Sequence, residues 1–467
     1  MARKKKTYPN IQITGIADKG LAVGRDEEGI VYFVQGAVPG DNVDVLVLRK
    51  KKSFRKGIVS KFNSLSSERV DPFCKHFGNC GGCKWQYLDY PSQLKYKEKS
   101  IKDAFERLGH LEIKESFPIL ACEETIFYRN KMEYTFSSRR WVPKEELDQE
   151  GEVNFGPAAG FHKGGSFDKV VQIEKCYLQE DLSNQIRNFV DKTAIEKEWT
   201  YYHARDHHGF LRNLRIRNST LGHWMIVMIF GEDKAEEIEY LMSQLRNNFP
   251  QLSSMYYVVN TKMNDTINDL DLTLYDGEET ITENLGHIRY KIGPKSFFQT
   301  NTKQAEVLYD EIVKAAQLQG GEVVYDLYTG LGSIALYVAD KCQKVVGIEE
   351  IKEAIDDARY NQKLNNIDNA EFLVGDVKQI FNDDFVKKHG AADLIIVDPP
   401  RPGLHPDVVA MLNKTGVDKI LYVSCNPSTQ ARDIALLNEN YSVELIQPVD
   451  MFPHTHHIEN IALLKKR

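Results

Sequence analysis

At 467 residues, 42% apolar and 27% charged, the chain is too long for one ordinary core and close to globular averages, which excludes wholesale disorder and fibrous repeats. Its formal charge of −7 is unevenly spread: residues 1–70 hold 14 Lys and Arg against 7 Asp and Glu, so that segment is +7 and the remainder −14. The basic opening MARKKKTYPN leads into no apolar stretch of signal-peptide type, and HWMIVMIF (223–230) falls far short of the roughly 20 residues of a membrane span, so a cytoplasmic protein without membrane contact is expected.

Three units are expected, covering residues 1–70, 71–292 and 293–467. In the first, short β-branched runs (IQITGIA, IVYFV, VDVLVLRK, RKGIVSKF) alternate with Gly-containing turns, the rhythm of a small closed β-barrel of oligonucleotide-binding character. Its basic excess suits contact with phosphates. A cysteine-rich knot follows, then SQLKYKEKSIKDAFERLG, whose helical apolar spacing stops at Gly109. Residues from about 118 to 290 read as mixed strand and helix, with strands in YRNKMEYTFS, FLRNLRIR, HWMIVMIF and SMYYVVN.

From Val323 the pattern becomes strand, turn, helix, repeated: VVYDLYTGLGSIALYVA, KVVGIEE, AEFLVGD, ADLIIVDPP, KILYVSCNP. Continuous apolar strands separated by helices predict a doubly wound parallel α/β sheet covered on both faces, of Rossmann-like type. Ligands of such sheets bind beyond the carboxyl ends of the strands. There DLYTGLGS supplies Asp326 and a turn with Gly330 and Gly332, while Glu349, 23 residues on, stands where a carboxylate can accept two ribose hydroxyls. Asp376 and Asp398 end the next two strands. Three acidic tips with a short Gly turn favour a ribose-bearing ligand without a diphosphate, S-adenosylmethionine over NAD.

Cys425 closes the fifth strand on the same rim, ahead of Asn426-Pro427. A thiolate is a soft nucleophile that adds to activated double bonds. Added at C6 of uracil, it makes C5 electron-rich enough to take a methyl group, after which a base must remove the C5 proton. FPHTHHIENIALL offers Glu459, with His454, His456 and His457 as competitors. In CKHFGNCGGC, Cys74, Cys80 and Cys83 have the spacing C-x5-C-x2-C, and Cys176 is a distant fourth. In a reducing compartment this set suits a metal, either zinc, with His76 as an alternative ligand, or a [4Fe-4S] cluster. Cys122 and Cys342 lack any motif and read as packing residues.

Taken together, SFFQTN, DLYTGLGS, VGIE, VDPPRPGL, VSCNP and FPHTHHIE resemble the RNA uracil-5 methyltransferase family, in its TRAM-domain and iron-sulfur-containing 23S rRNA form. The resemblance covers the catalytic half and extends through YRNK and GFHKGGSFDKVVQIEKC into the middle. It implies S-adenosylmethionine as methyl donor, Cys425 as nucleophile, Glu459 as base, and Gln299, Tyr328, Glu349, Asp376 and Asp398 as cofactor residues. Ser333 stands where many members have Asn and is carried over as a cofactor contact. The resemblance further implies a TRAM barrel, a [4Fe-4S] cluster on Cys74, Cys80, Cys83 and Cys176, and a structured RNA partner, 23S rRNA ahead of tRNA, for a monomeric enzyme. A nonenzymatic RNA-binding or assembly factor on the same scaffold would require loss of Cys425 or Glu459, and both are present.

Overall fold

A computed structural model describes residues 6–148 and 153–467. The basic residues Arg3, Lys4 and Lys5 lie outside the described residues.

Strands Thr7–Ile16, Ala22–Arg25, Val31–Gln35, Asn42–Lys50 and Phe54–Ser64 close into the expected barrel around Ile11, Ile13, Tyr32, Val34, Val43 and Val45. Not all of its basic residues face solvent. Arg55 is buried, paired with Asp26 and Tyr32 and stacked on Tyr8 at 4.0 Å, and Arg69 is bound to the fully buried Asp41 at 2.7 Å. These two are structural ions. Lys6, Arg49, Lys50, Lys51, Lys52, Lys56 and Lys61 remain exposed.

The middle of the chain forms a seven-stranded sheet, in the order Thr273–Gly277, Leu252–Val259, Trp224–Phe230, Leu211–Asn218, Lys131–Ser137, Ala158–His162, Val170–Gln172. Trp224–Phe230 is buried along its whole length, which explains its unbroken apolar run. Helices Asp181–Glu196 and Ala235–Asn248 cover one face through Ile186, Val190, Leu241 and Leu245. The other face, through Met225, Val227 and Ile229, joins a core shared with the last third of the chain.

That last third carries an eight-stranded sheet, ordered Ala370–Val374, Lys344–Glu349, Val323–Leu327, Leu394–Val397, Lys419–Ser424, Glu459–Lys466, Tyr441–Val449, Ile113–Ser116. The first five strands are parallel, and Glu459–Lys466 enters antiparallel. The order reverses between Val323–Leu327 and Leu394–Val397, which makes the rim there the switch point where ligands bind. The edge strand Ile113–Ser116 and helix Tyr90–Arg107 come from the segment grouped with the middle unit on sequence. Ile101, Ala104 and Phe105 of this helix pack with Ile420, Tyr422 and Ala431.

Candidate active site

Leu327 pairs with Ile348 and Val397, and Val397 with Tyr422, so the parallel strands end nearly level. Tyr328, Glu349, Asp376, Asp398 and Cys425, each at or just beyond a strand end, therefore share one rim. In the Gly turn, Gly330 has φ 57° and its missing Cβ would point into open space. Gly332 has φ 79°, and a Cβ there would meet the Phe372 ring at 2.9 Å. The first glycine leaves the cleft open; the second is required by packing.

The Glu349 carboxylate accepts the Gly330 amide at 3.2 Å and the Ile351 amide at 3.0 Å, which fixes its plane while leaving acceptor capacity for a vicinal diol. Tyr328 is held at φ 70° by its amide bond to Ile348 O. Beneath the turn, Asp326 is fully buried, accepts Thr329 Oγ1 and the Ala335 amide, and keeps one oxygen without a partner; burial pushes its carboxyl up to about 7. Asp376 caps the short helix Val377–Ile380 and pairs with Lys378 at 3.1 Å, a hydrogen bond that lowers its pKa and commits part of its carboxylate to the rim. Tyr309, which carried no sequence signal, joins two of the expected residues: its hydroxyl lies 2.8 Å from Ser333 Oγ and bonds the Gln299 side chain.

The Asn426-Pro427 step now has a physical account. Asn426 caps helix Pro427–Leu437 by accepting the Ser428 amide, and proline, having no N–H, occupies its first position without loss. Cys425 is thereby held between strand and helix, half-buried. Ser424 pairs with Asn460, so one step further along the antiparallel ladder Cys425 stands opposite Glu459. Burial pushes the thiol up to about 11, Glu459 and Asp398 add to this, and the Arg401 guanidinium, within hydrogen-bonding reach, opposes it. Burial and Asp398 also hold Glu459 well above the usual carboxylate range, while burial pushes Asp398 up to about 7. Arg401 sits beside the thiol because its carbonyl accepts the Asn426 and Thr429 side chains, tying the DPPR turn to the thiol turn. The competing imidazoles are poor bases: burial, aided by nearby cations, lowers His454 and His456 to about 4 and His457 to about 3.

Cys74, Cys80, Cys83 and Cys176 converge on a second, separate cavity of about 260 Å³ together with His76, Phe77 and Met132. Gly81 permits the approach, since a Cβ there would meet His162 O at 2.8 Å. Burial pushes Cys80 and Cys83 up to about 12 and raises Cys74 and Cys176. Yet among the described residues no group of three or more His, Cys, Asp or Glu is arranged to hold a metal ion, so the expected metal centre is not formed as such. His76 is a poor alternative ligand, because its Nε2 accepts the Glu174 amide at 3.1 Å. Four thiols lining one void are a donor set of the kind that thiolate-bound metal centres use, whether zinc or an iron-sulfur cluster. Cys122 and Cys342 are buried in packing, as expected.

A doubly wound parallel sheet with a Gly turn at the end of its first strand, and with a carboxylate and a thiol on the same rim, defines the class of S-adenosylmethionine-dependent methyltransferases. Comparison with known proteins narrows this. A family model described as tRNA (uracil-5-)-methyltransferase matches residues 219–467, and one for the TRAM domain matches residues 3–59. An uncharacterised RNA methyltransferase of Bacteroides thetaiotaomicron is 46% identical over 97% of this chain and 100% of its own. One from Chlorobaculum tepidum is 35% identical over 99% of this chain and 97% of its own. The crystal structure of the Pyrococcus abyssi tRNA (uracil-54, C5)-methyltransferase with S-adenosyl-L-homocysteine superposes with a TM-score of 0.75 at 28% identity, covering 98% of this chain and 100% of that one. The chain belongs to the RNA uracil-5 methyltransferase family, enzymes dependent on S-adenosylmethionine, and carries a TRAM domain.

Among the described residues no helix is long and apolar enough to cross a membrane.

Proposed function

We propose that the enzyme methylates C5 of a uridine in 23S rRNA through a covalent bond between Cys425 and C6, with Glu459 as the base that ends the reaction. The observation that carries this reading is the register of Ser424 with Asn460, which sets the thiol and the carboxylate side by side at the rim. The Cys425 thiol, half-buried, gives up its proton to solvent, the thiolate is stabilised by Arg401, and its sulfur adds to C6 while the C5–C6 π electrons move toward O4. C5 would then take the methyl group that S-adenosylmethionine offers as an electrophile, the sulfonium–methyl bond breaking to leave S-adenosylhomocysteine. The Glu459 carboxylate takes the C5 proton, the C5–C6 double bond re-forms, and the sulfur leaves as thiolate. A carboxyl raised by burial is a stronger base than the three imidazoles lowered by it.

Glu349 and Tyr328 are assigned to the ribose and adenine end of the cofactor, with Asp376 at the rim, and Gln299, Ser333 and Asp398 to its amino-acid and sulfonium side. Cys74, Cys80, Cys83 and Cys176 are proposed to hold a [4Fe-4S] cluster that braces the middle sheet; the chemistry of four convergent thiols in an apolar cavity supports it.

A second reading, the same reaction on tRNA, is favoured by the full-length similarity to the Pyrococcus abyssi enzyme. Incubation with 5-fluorouridine-substituted 23S rRNA fragments and tRNA in the presence of cofactor tests both. Fluorine cannot leave as a proton, so an adduct stable to denaturation is expected at Cys425 with the rRNA. Methylation without such an adduct, or an adduct at another residue, refutes the mechanism; an adduct with tRNA alone replaces the substrate.

A further inference from the structure

Helix Tyr90–Arg107 is a core element in its second half and something else in its first. Tyr90, Gln93 and Lys97 form one stripe that faces the segment Asp450–His454, more than 350 residues away in sequence. The Lys97 and Asp450 side chains are both wholly inaccessible and lie 2.6 Å apart. Lys97 Nζ also donates to Phe452 O at 3.0 Å, Asp450 Oδ1 accepts the Phe452 amide at 3.1 Å, and Asp450 Oδ2 accepts the Tyr90 hydroxyl at 3.0 Å. Gln93 Oε1 accepts the His454 amide at 2.8 Å, while its amide nitrogen is anchored on Trp85 O and Leu88 O. His454 O in turn accepts the Lys84 and Trp85 amides, and Tyr128 donates to Pro453 O.

Side chains and amides from residues 84–128 thus grip three successive residues, Phe452, Pro453 and His454, the last held at φ 63°. A buried ion pair is weak as a source of stability, since an apolar pair of similar volume serves as well or better. What it does supply is a fixed geometry for the chain it grips. Five residues after His454 comes Glu459.

We infer that Lys97 and Asp450 are positioning residues that hold the segment entering Glu459, and so govern removal of the C5 proton rather than addition of the thiol. The inference rests on the Cys425 and Glu459 roles proposed above. Cys425 has holds of its own that Lys97 and Asp450 do not touch, the cap at Asn426 and the parallel pairing of its strand with Leu394–Val397.

The test uses Lys97→Met and, to avoid a stranded buried charge, the double variant Lys97→Met/Asp450→Leu, with uridine RNA and its 5-deuterated form. Adduct formation is expected within about threefold of the parent in the double variant, and release slowed roughly ten- to hundredfold, the usual effect of a small misplacement of a reacting group. Adduct then accumulates at steady state, and a primary deuterium isotope effect appears on kcat. Loss of folding stability alone moves neither the isotope effect nor the ratio of the two steps. A double variant that releases adduct at the parental rate, or one in which both steps fall in parallel without an isotope effect, overturns the brace. A parent that methylates RNA without any trappable adduct overturns the Cys425 and Glu459 reading, and this inference with it.

Discussion

The state of the Cys425 thiol can be titrated directly. With burial, Glu459 and Asp398 holding it near 11, about one thiol in a thousand is ionised at pH 8 in the absence of ligands, against about one in four for an ordinary cysteine of pKa about 8.5. The deficit is roughly 200-fold. A more basic thiolate is intrinsically more reactive by roughly tenfold over this range, which leaves alkylation about twentyfold slower than at an unperturbed cysteine. Iodoacetamide labelling, followed by mass spectrometry of the peptide containing Cys425, should show a rate that climbs tenfold per pH unit from 7 to 10 and levels only near 11. Glu459→Gln removes the largest charge opposing ionisation, so labelling in that variant should run faster at every pH where the parental carboxyl is ionised. Toward lower pH, where the parent Glu459 becomes protonated, the two rates converge. A parental plateau below pH 8, or a Glu459→Gln variant no faster at any pH, refutes the electrostatic account of the site.

If Glu349 accepts the ribose hydroxyls as proposed, Glu349→Ala should weaken cofactor binding by calorimetry at least tenfold, since hydrogen bonds to a charged group contribute about 1.5–3 kcal/mol. The two turn glycines should separate: Gly332→Ala, which meets both Phe372 and a positive φ, is expected to cost about 2 kcal/mol and lower the melting temperature, whereas Gly330→Ala costs less stability and chiefly lowers cofactor affinity. Lys50→Glu/Lys51→Glu/Lys52→Glu on the barrel should weaken RNA binding and flatten the slope of log affinity against log salt by about three, with single-turnover methylation at saturating RNA preserved. Protein purified without oxygen should be brown, and Cys176→Ser should bleach it; a colourless sample holding zinc removes the cluster.

The strand-end rim is legible in sequence because parallel strands fully buried on both faces must be apolar throughout, which makes their polar terminal residues conspicuous. Glu349, Asp398 and Cys425 stand out for that reason. The pairing of Cys425 with Glu459 needed a register, and motif order does not supply one. Residues whose function depends on distant partners were harder. Tyr309 looks like any apolar helix position, and its hydroxyl acquires meaning only beside Ser333 and Gln299. Arg55 and Arg69 contribute to the basic excess of residues 1–70, yet in the fold Asp26 and Asp41 pair with them. Amphipathic spacing identified helix Tyr90–Arg107 but not its owner, because periodicity reveals that a face is buried without revealing against what.

The ownership of that helix sets a timetable for biogenesis. Its apolar stripe packs on helix Pro427–Leu437, so it leaves the ribosome roughly 320 residues before that partner. At about 5–20 residues per second, the delay is roughly 15–65 s, a long interval for a greasy surface to stay uncovered. A nascent chain of this enzyme should therefore be a customer for holding chaperones until helix Pro427–Leu437 is made.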